Sequence, residues 1–199
     1  MNLSPKLLEL GRCLSLEYDN KKELMFNFNK KTEYEDFLEL LKKSDSLNSL
    51  NLSGLEFEGL DFSKKSFTGC TFSNSKFKNC NCSNLHLRMC FFDFCEIDSC
   101  NFQNSDIQFS SFGGAKIIRT DFKNSELLQN NFNGIRAEDV SFNDSDLYSS
   151  RFLFSFLKNV YFQNCNLKKT LFLYSKEDGV SYKSSNTREA VFTEGDEFV

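Results

Sequence analysis

With one histidine in 199 residues, His86, the chain has little material for acid–base or metal chemistry,. It lacks a P-loop, a dinucleotide glycine fingerprint and a nucleophile elbow, so the common phosphate-binding and acyl-transfer signatures are missing,. No apolar run approaches the ~20 residues of a membrane-spanning helix, and no membrane partner is expected. Positive charge is not in excess: 24 Lys plus Arg face 28 Asp plus Glu, a net of -4 with pI near 5.2. That balance argues against direct nucleic-acid binding through a basic surface. Met1 to Lys6 lead into a short apolar stretch broken by Glu9 and Arg12, so a secretory signal is not expected and a cytoplasmic location is,.

What the chain does have is a period of five. Every fifth residue from Leu52 to Phe172 is apolar without exception, as in Phe57, Phe62, Phe67, Phe72 and Phe77. At 40% apolar composition such a run has a chance probability of about one in ten billion, which marks an internal repeat. Neither helix nor strand has this period. Two residues before most centres lies a small side chain, as in Cys70, Ser75, Cys80, Cys90, Ser125, Ser145 and Thr170. Two residues after it, turn formers recur, among them Gly54, Gly69, Asn74, Asn104, Gly134 and Asn164. These tolerate positive φ or hydrogen-bond their own backbone. With the centre and the small residue both inward, each unit makes one side of a coil and then bends.

The units Cys-Thr-Phe-Ser-Asn (70 to 74), Cys-Asn-Phe-Gln-Asn (100 to 104) and Ser-Asp-Leu-Tyr-Ser (145 to 149) resemble the pentapeptide repeat family. The resemblance covers residues 50 to 174. It implies an all-β solenoid, a right-handed quadrilateral β-helix with four pentapeptides per coil and about six coils. Stacked by twenty, one face carries Leu52, Phe72, Phe92, Phe112, Phe132, Phe152 and Phe172, and the opposite face carries Phe62, Cys82, Phe102, Phe122, Phe142 and Phe162. Rings on two opposed walls with aliphatics on the others fill a narrow bore.

Eight cysteines invite a search for metal or disulfides. Cys70, Cys80, Cys90, Cys95, Cys100 and Cys165 fall in the small inward column and Cys82 is a centre, which leaves only Cys13 outside. Buried cysteine behaves as a small apolar group, and the spacing is wrong for zinc. Cys70 over Cys90 and Cys80 over Cys100 stack at a bridgeable separation, but thiols are expected in a reducing compartment. No cofactor, metal site or catalytic residue is expected. The outward carboxylates Glu138, Asp139, Asp144 and Asp146 lie on a convex rod that offers no water-excluding pocket, and His86 reads as a surface residue.

Residues 1–49 form a segment of a different kind, expected to be an α/β cap over the first coil. Thr32 is positioned to N-cap a helix bearing Tyr34, Phe37, Leu38 and Leu41 on one face and ending near Lys42 and Lys43,. Ahead of it, Leu24, Phe26 and Phe28 alternate as a short strand, and Leu7, Leu8, Leu10 and Leu14 suggest another helix. Lys65, a charge in the inward column, together with Leu50, Leu55 and Leu60, predicts an irregular first coil. Residues 175–199 read as an acidic tail, with one further partial coil at 190–194 after a looped excursion.

In the last two coils, outward positions carry Tyr148, Leu153, Phe154, Phe156, Tyr161, Leu171, Leu173 and Tyr174. A contiguous apolar patch marks an interface, unless the tail folds back over it. The expected function is a non-enzymatic interaction or scaffold protein, a homodimer joined through its C-terminal coils, with an unidentified protein partner. The alternative is implied by resemblance to the fluoroquinolone-resistance members of the family, which mimic DNA and bind type II topoisomerase, DNA gyrase or topoisomerase IV. Residues 50–174 hold 13 basic and 13 acidic residues, whereas a DNA mimic needs a strongly negative surface.

Overall fold

In the computed structural model, which describes residues 30–192, neighbouring strands of each sheet pair in parallel and lie twenty residues apart in the chain. A helix, α1 (Tyr34–Lys43), precedes eleven strands: β1 (Ser46–Asn48), β2 (Glu56–Glu58), β3 (Ser66–Thr68), β4 (Lys76–Lys78), β5 (His86–Arg88), β6 (Glu96–Asp98), β7 (Asp106–Gln108), β8 (Lys116–Ile118), β9 (Arg136–Ser141), β10 (Phe156–Tyr161) and β11 (Lys176–Asp178). They make two parallel sheets, ordered β1-β3-β5-β7 and β11-β10-β9-β8-β6-β4-β2. Isolated bridges at the same spacing, such as Phe91 to Ser111 and Asn101 to Asp121, join the coils on the two walls between. The result is a parallel β-solenoid of about seven turns. Its four walls, A, B, C and D, are those on which the centres Leu52, Phe57, Phe62 and Phe67 lie, in that order.

Each corner is built the same way. Every fifth residue from Ser49 to Glu189 has left-handed φ, between 47° and 68°. Glycine and asparagine hold many of these corners, because they adopt that region at least cost.

Inside, the rings of wall A stack in series: Phe72 on Phe92 at 4.6 Å, Phe92 on Phe112 at 4.9 Å, and onward to Phe172 on Phe192 at 5.1 Å. Wall C repeats this from Phe102 on Phe122, 4.8 Å, to Phe162 on Tyr182, 5.3 Å. Across the bore the two walls meet edge to face, as in Phe142 with Phe152 at 5.7 Å and 83°. Both are the arrangements that the ring quadrupole favours. Wall B starts with the buried rings of Phe57 and Phe77 and then needs only Ile97, Ile117, Ala137 and Leu157 to close the section, all buried.

The small inward column does more than make room. The Ser125 hydroxyl donates to the Phe102 carbonyl at 3.0 Å and accepts the Ser105 N–H at 3.0 Å. Ser145 does the same with Phe122 and Ser125, at 2.8 and 3.0 Å. Cysteine takes the same part: Cys95 Sγ donates to the Phe72 carbonyl at 3.0 Å and Cys165 Sγ to that of Phe142 at 2.9 Å. Asn130, fully buried, uses its amide for both bonds, to Ile107 O at 2.7 Å and from Ser110 N at 2.8 Å. Reading cysteine there as merely small and apolar therefore needs correction, since the column is a hydrogen-bond ladder between coils. Val140 and Val160 have no such donor. There the parallel pairing runs on across the corner in the six-residue strands β9 and β10, Val160 with Val140 and Tyr161 with Ser141. Asp139 and Asn159 keep the left-handed φ of that corner, at 57° and 52°.

The ends depart from the sequence expectations. Glu33, not Thr32, is the N-cap residue of α1 and makes no side-chain cap bond; the Thr32 N–H donates to Asn51 O at 2.8 Å instead. The helix lays Phe37 and Leu41 on the open first coil, with Phe37 against Phe57 at 5.4 Å and Phe62 at 6.1 Å. That first coil is regular from Ser46, with Leu47 as a buried centre. Lys65 fits because no coil lies before it: its Nζ reaches past the rim to Ser44 O at 3.0 Å and Asp45 Oδ1 at 2.7 Å. At the other end, residues 175–191 are a further coil and not a loop, since Lys176 N bonds Ser155 O at 2.8 Å and Val191 N bonds Thr170 O at 3.0 Å. Exposed Glu177 stands at a centre position there, which breaks the apolar pattern without breaking the backbone register. The coils thus run from 46 to 192, beyond the expected 50 to 174. The strand expected at 24–28, the helix around 7–14, Cys13, and residues 193 and 194 lie outside the described residues.

The ladder and the bore make separable predictions. Ser125→Ala strips the Phe102 carbonyl of its donor and should cost about 1–3 kcal/mol, while Ser125→Cys should keep most of that stability in denaturant melts. Phe122→Asp puts an unpaired carboxylate in a dry bore and should abolish the cooperative melt; Lys123→Asp, one residue along and outward, should change stability by less than about 1 kcal/mol.

Candidate interaction surface

Of the five positions in each unit, the two flanking the centre face outward and the left-handed residue stands at the corner. Function at a rod surface must come from these columns. On wall B they hold opposite charges one coil apart: Lys76 Nζ lies 2.7 Å from Glu56, Lys78 Nζ 2.8 Å from Glu58 and Lys158 Nζ 2.6 Å from Glu138. On wall D, Arg88 grips Asp106 through both guanidinium branches, at 2.8 and 2.7 Å, and holds that carboxyl below its usual range. His86 is exposed, with Nδ1 3.8 Å from Asp106. The outward carboxylates singled out from sequence are likewise engaged by the next coil: Asp139 by Asn159, Asp144 by Asn164 and Asp146 by Asn166, at 3.0 to 3.1 Å. Surface grooves are shallow. One of about 380 Å³ runs past Arg119, Asp121, Lys123 and Tyr161, and another of about 290 Å³ past Lys116, Arg136 and Phe156.

The eight residues expected to form one patch divide among four walls. Leu153, Leu171 and Leu173 face outward on wall A, and Phe154 and Tyr174 stand at its corner with wall B, their rings stacked at 5.0 Å and 9°. Phe156 lies just round that corner on wall B, under the Lys176 ammonium at 5.2 Å. Tyr148 is on wall D, near the Lys169 ammonium at 5.8 Å, and Tyr161 is on wall C. The structure thus brings together the five wall A and corner residues with Phe156 beside them, and separates the two tyrosines. The described part of the tail, 175–192, continues the rod and does not fold back across wall A.

A second exposed group lies outside the sequence expectations. Met89, Phe91, Phe94 and Phe109 are 59%, 44%, 66% and 51% exposed. Phe91 is on wall A, Phe94 at its corner with wall B, and Met89 and Phe109 at its corner with wall D. Part of the signal is in the chain, apolar residues in outward columns, but these four are interleaved with polar residues and group only when coils stack. Phe94, Phe109 and Phe154 also sit at corners with φ of 59°, 54° and 56°. A bulky side chain in this region costs roughly 1–2 kcal/mol that asparagine or glycine avoids. The Phe94 ring lies over Gly114, where an added Cβ would come within 2.6 Å of it.

The thiols offer no comparable surface. All seven described cysteines are free and buried. Burial raises Cys95 to about 12 and Cys165 to about 11. In the stacked pairs, a thiol hydrogen bond to the neighbour, followed by burial, holds Cys70 and Cys100 well above the ordinary range. No cluster of three or more metal-binding side chains occurs among the described residues.

Residues 66–104 match the sequence model of the family described as pentapeptide repeats, in eight copies, and the chain carries these repeats. Solved structures of pentapeptide repeat proteins are similar to it. Rfr23 from the cyanobacterium Cyanothece 51142 is 10% identical with TM-score 0.43, covering 77% of this chain and 95% of its own. HetL, involved in heterocyst differentiation regulation in the cyanobacterium Nostoc sp. strain PCC 7120, is 10% identical with TM-score 0.31, covering 80% and 96%. QnrB1, a plasmid-mediated fluoroquinolone resistance protein, in a trypsin-treated form is 16% identical with TM-score 0.30, covering 75% and 91%. No functionally curated protein matches by sequence.

The corner and thiol geometry can be checked directly. Phe154→Asn and Phe94→Asn should leave the melting transition unchanged or raise stability by up to about 1 kcal/mol, because asparagine suits the left-handed corner. Alkylation of native protein should be slow at Cys95 and Cys165 and complete only on denaturation; rapid labelling of either in the folded state would contradict their inward placement.

Proposed function

We propose that the protein is a non-enzymatic binding rod that engages a protein partner through wall A. The observation that carries this reading is the set of apolar side chains at outward positions of that wall and its corners, where a solvated rod would carry polar groups. Exposed apolar side chains grouped on one face mark protein contact sites, and aromatic anchors dominate their energetics. The ladder and the core use the inward positions only, which leaves the outward columns free to carry recognition. Self-association belongs to this reading. A reducing cytoplasmic setting suits seven free thiols,.

Surface charge does not favour duplex mimicry by this rod. On wall B, Glu56, Glu58 and Glu138 are matched by lysines one coil away and Asp98 by Arg119, so these coils present alternating signs in place of a negative field. In a supercoiling assay with a fluoroquinolone, the protein should leave gyrase unprotected. Protection at stoichiometric concentration would favour the topoisomerase reading instead.

The test of wall A is comparative. Leu153→Lys with Leu173→Lys should lose the proteins that the parent retains on a column, while Tyr148→Lys on wall D should keep them. Equal retention by both variants would count against wall A as the binding surface.

A further inference from the structure

Between Asn51 and Leu173 the outward positions of wall A carry two charges, Asp93 and Arg151. Neither has an ion-pair partner among the described residues, and Asp93 instead accepts the Ser111 hydroxyl. Each shares its coil with exposed aromatic surface. Phe91 and Phe94 flank Asp93, and Phe154 follows Arg151, itself exposed. The two coils are three turns apart, about 14 Å at ~4.8 Å per turn. Between them the wall is small and neutral, with Ser111, Gly113, Asn131 and Asn133 facing out and Gly134 at the corner. The bulky side chains of this stretch, Phe109 and Gln129, stand at its corner with wall D.

This arrangement is self-complementary under one symmetry operation. A two-fold axis lying between two facing rods, perpendicular to both and midway between the coils of Phe112 and Phe132, exchanges the 91–94 coil of one copy with the 151–154 coil of the other. Each column faces the same column, because the axis preserves position across the wall. Phe94 then meets the partner's Phe154, and Arg151 lies over the partner's Phe91 within side-chain reach of the partner's Asp93. The contact occurs twice, as an isologous interface requires. A parallel pairing would instead set the two Arg151 side chains at one level and the two Asp93 side chains at another, which like-charge repulsion opposes.

We propose that wall A is the contact face of an antiparallel, side-by-side homodimer, with Arg151 of each copy paired to the partner's Asp93 and each Phe94 packed on the partner's Phe154. The proposal rests on reading wall A as a binding surface and names its occupant as a second copy. It moves the contact from the C-terminal coils, where the sequence pointed, to the middle of the rod. Overlap of seven coil spacings, ~34 Å, by a wall ~15 Å wide gives roughly 500 Å² per copy, below the ~800 Å² of a standard interface. The dimer is therefore concentration-dependent and salt-sensitive. The left-handed Phe94 and Phe154 support the same reading, because strained positions cluster where a side chain is retained for contact.

Charge reversal gives a test with internal rescue. The full chain should sediment as a dimer at tens of micromolar and dissociate on dilution or in high salt. Arg151→Glu and Asp93→Arg should each sediment as monomer, since each homodimer would hold two like-charge pairs. Mixing the two variants in equal amounts should restore the dimer, because the mixed pair regains two opposite-charge contacts. Phe94→Asn should also give monomer with an undiminished melting transition, and it decides the matter if Asp93→Arg disturbs its coil through the lost Ser111 bond. A monomeric parent overturns the proposal, as does a mixture of folded variants that stays monomeric. A dimeric parent whose variants dimerise equally well overturns it too, and in that case self-association survives elsewhere on the rod. A monomeric parent whose wall A variant still loses its retained proteins would leave the binding reading intact and remove only the second copy.

Discussion

The carbonyl of each central residue is the group on which the rod depends. The side chain of that residue fills a dry bore, so its carbonyl sits beside a core without water and must find a donor in the protein. Two donors recur. At some corners the N–H three residues on closes the turn, as Cys95 N does to Phe92 O at 3.2 Å and Ala115 N to Phe112 O at 3.0 Å. At others the side chain of the next coil donates, as Ser125 does to Phe102 and Ser145 to Phe122. The Leu147 carbonyl receives both, from Ser150 N and from the Thr170 hydroxyl. This division explains why the small column accepts Ala115 and Ile135. The carbonyls one coil back that they face, Phe92 and Phe112, are already served by the turn.

Aromatic stacking then sets how the coils add. Parallel rings at 4.6 to 5.1 Å along wall A match the spacing at which parallel strands hydrogen-bond,, so backbone and core impose the same repeat. Edge-to-face contacts tie wall A to wall C at successive levels. At the amino end α1 covers the open section with Phe37 and Leu41. At the other end Tyr182 and Phe192 continue the two stacks, with their rings 5.0 Å apart and nearly perpendicular.

The repeat is legible because its register is local: five residues determine which side chain points inward, and no knowledge of distant contacts is needed. Legibility fails where a coil has only one neighbour. Lys65 looks disruptive because the column demands burial, yet in the first coil its ammonium escapes over the rim to Ser44 and Asp45. Glu177 hides the last coil for the related reason that a terminal centre need not be buried. The ladder is not legible because serine and cysteine share size as well as donor capacity, and size alone explains their presence. The candidate surface is half legible. The C-terminal residues are dense in sequence, whereas Met89, Phe91, Phe94 and Phe109 are interleaved with polar residues and come together only when coils stack.

Corners carry the remaining information. The backbone asks every corner residue for a left-handed conformation, and Asn74, Gly114 and Asn124 meet that demand cheaply. Phenylalanine at 94, 109 and 154 does not, and two of these three rings remain more than three-fifths exposed, at 66% and 65%. Core packing cannot account for them, since they point away from the bore, and turn chemistry opposes them. A side chain that the turn disfavours and solvent does not reward contributes most where another surface covers it. Wall A offers such a place, because its middle coils are flat, small and uncharged, and Asp93 and Arg151 flank that flat region at equal distance.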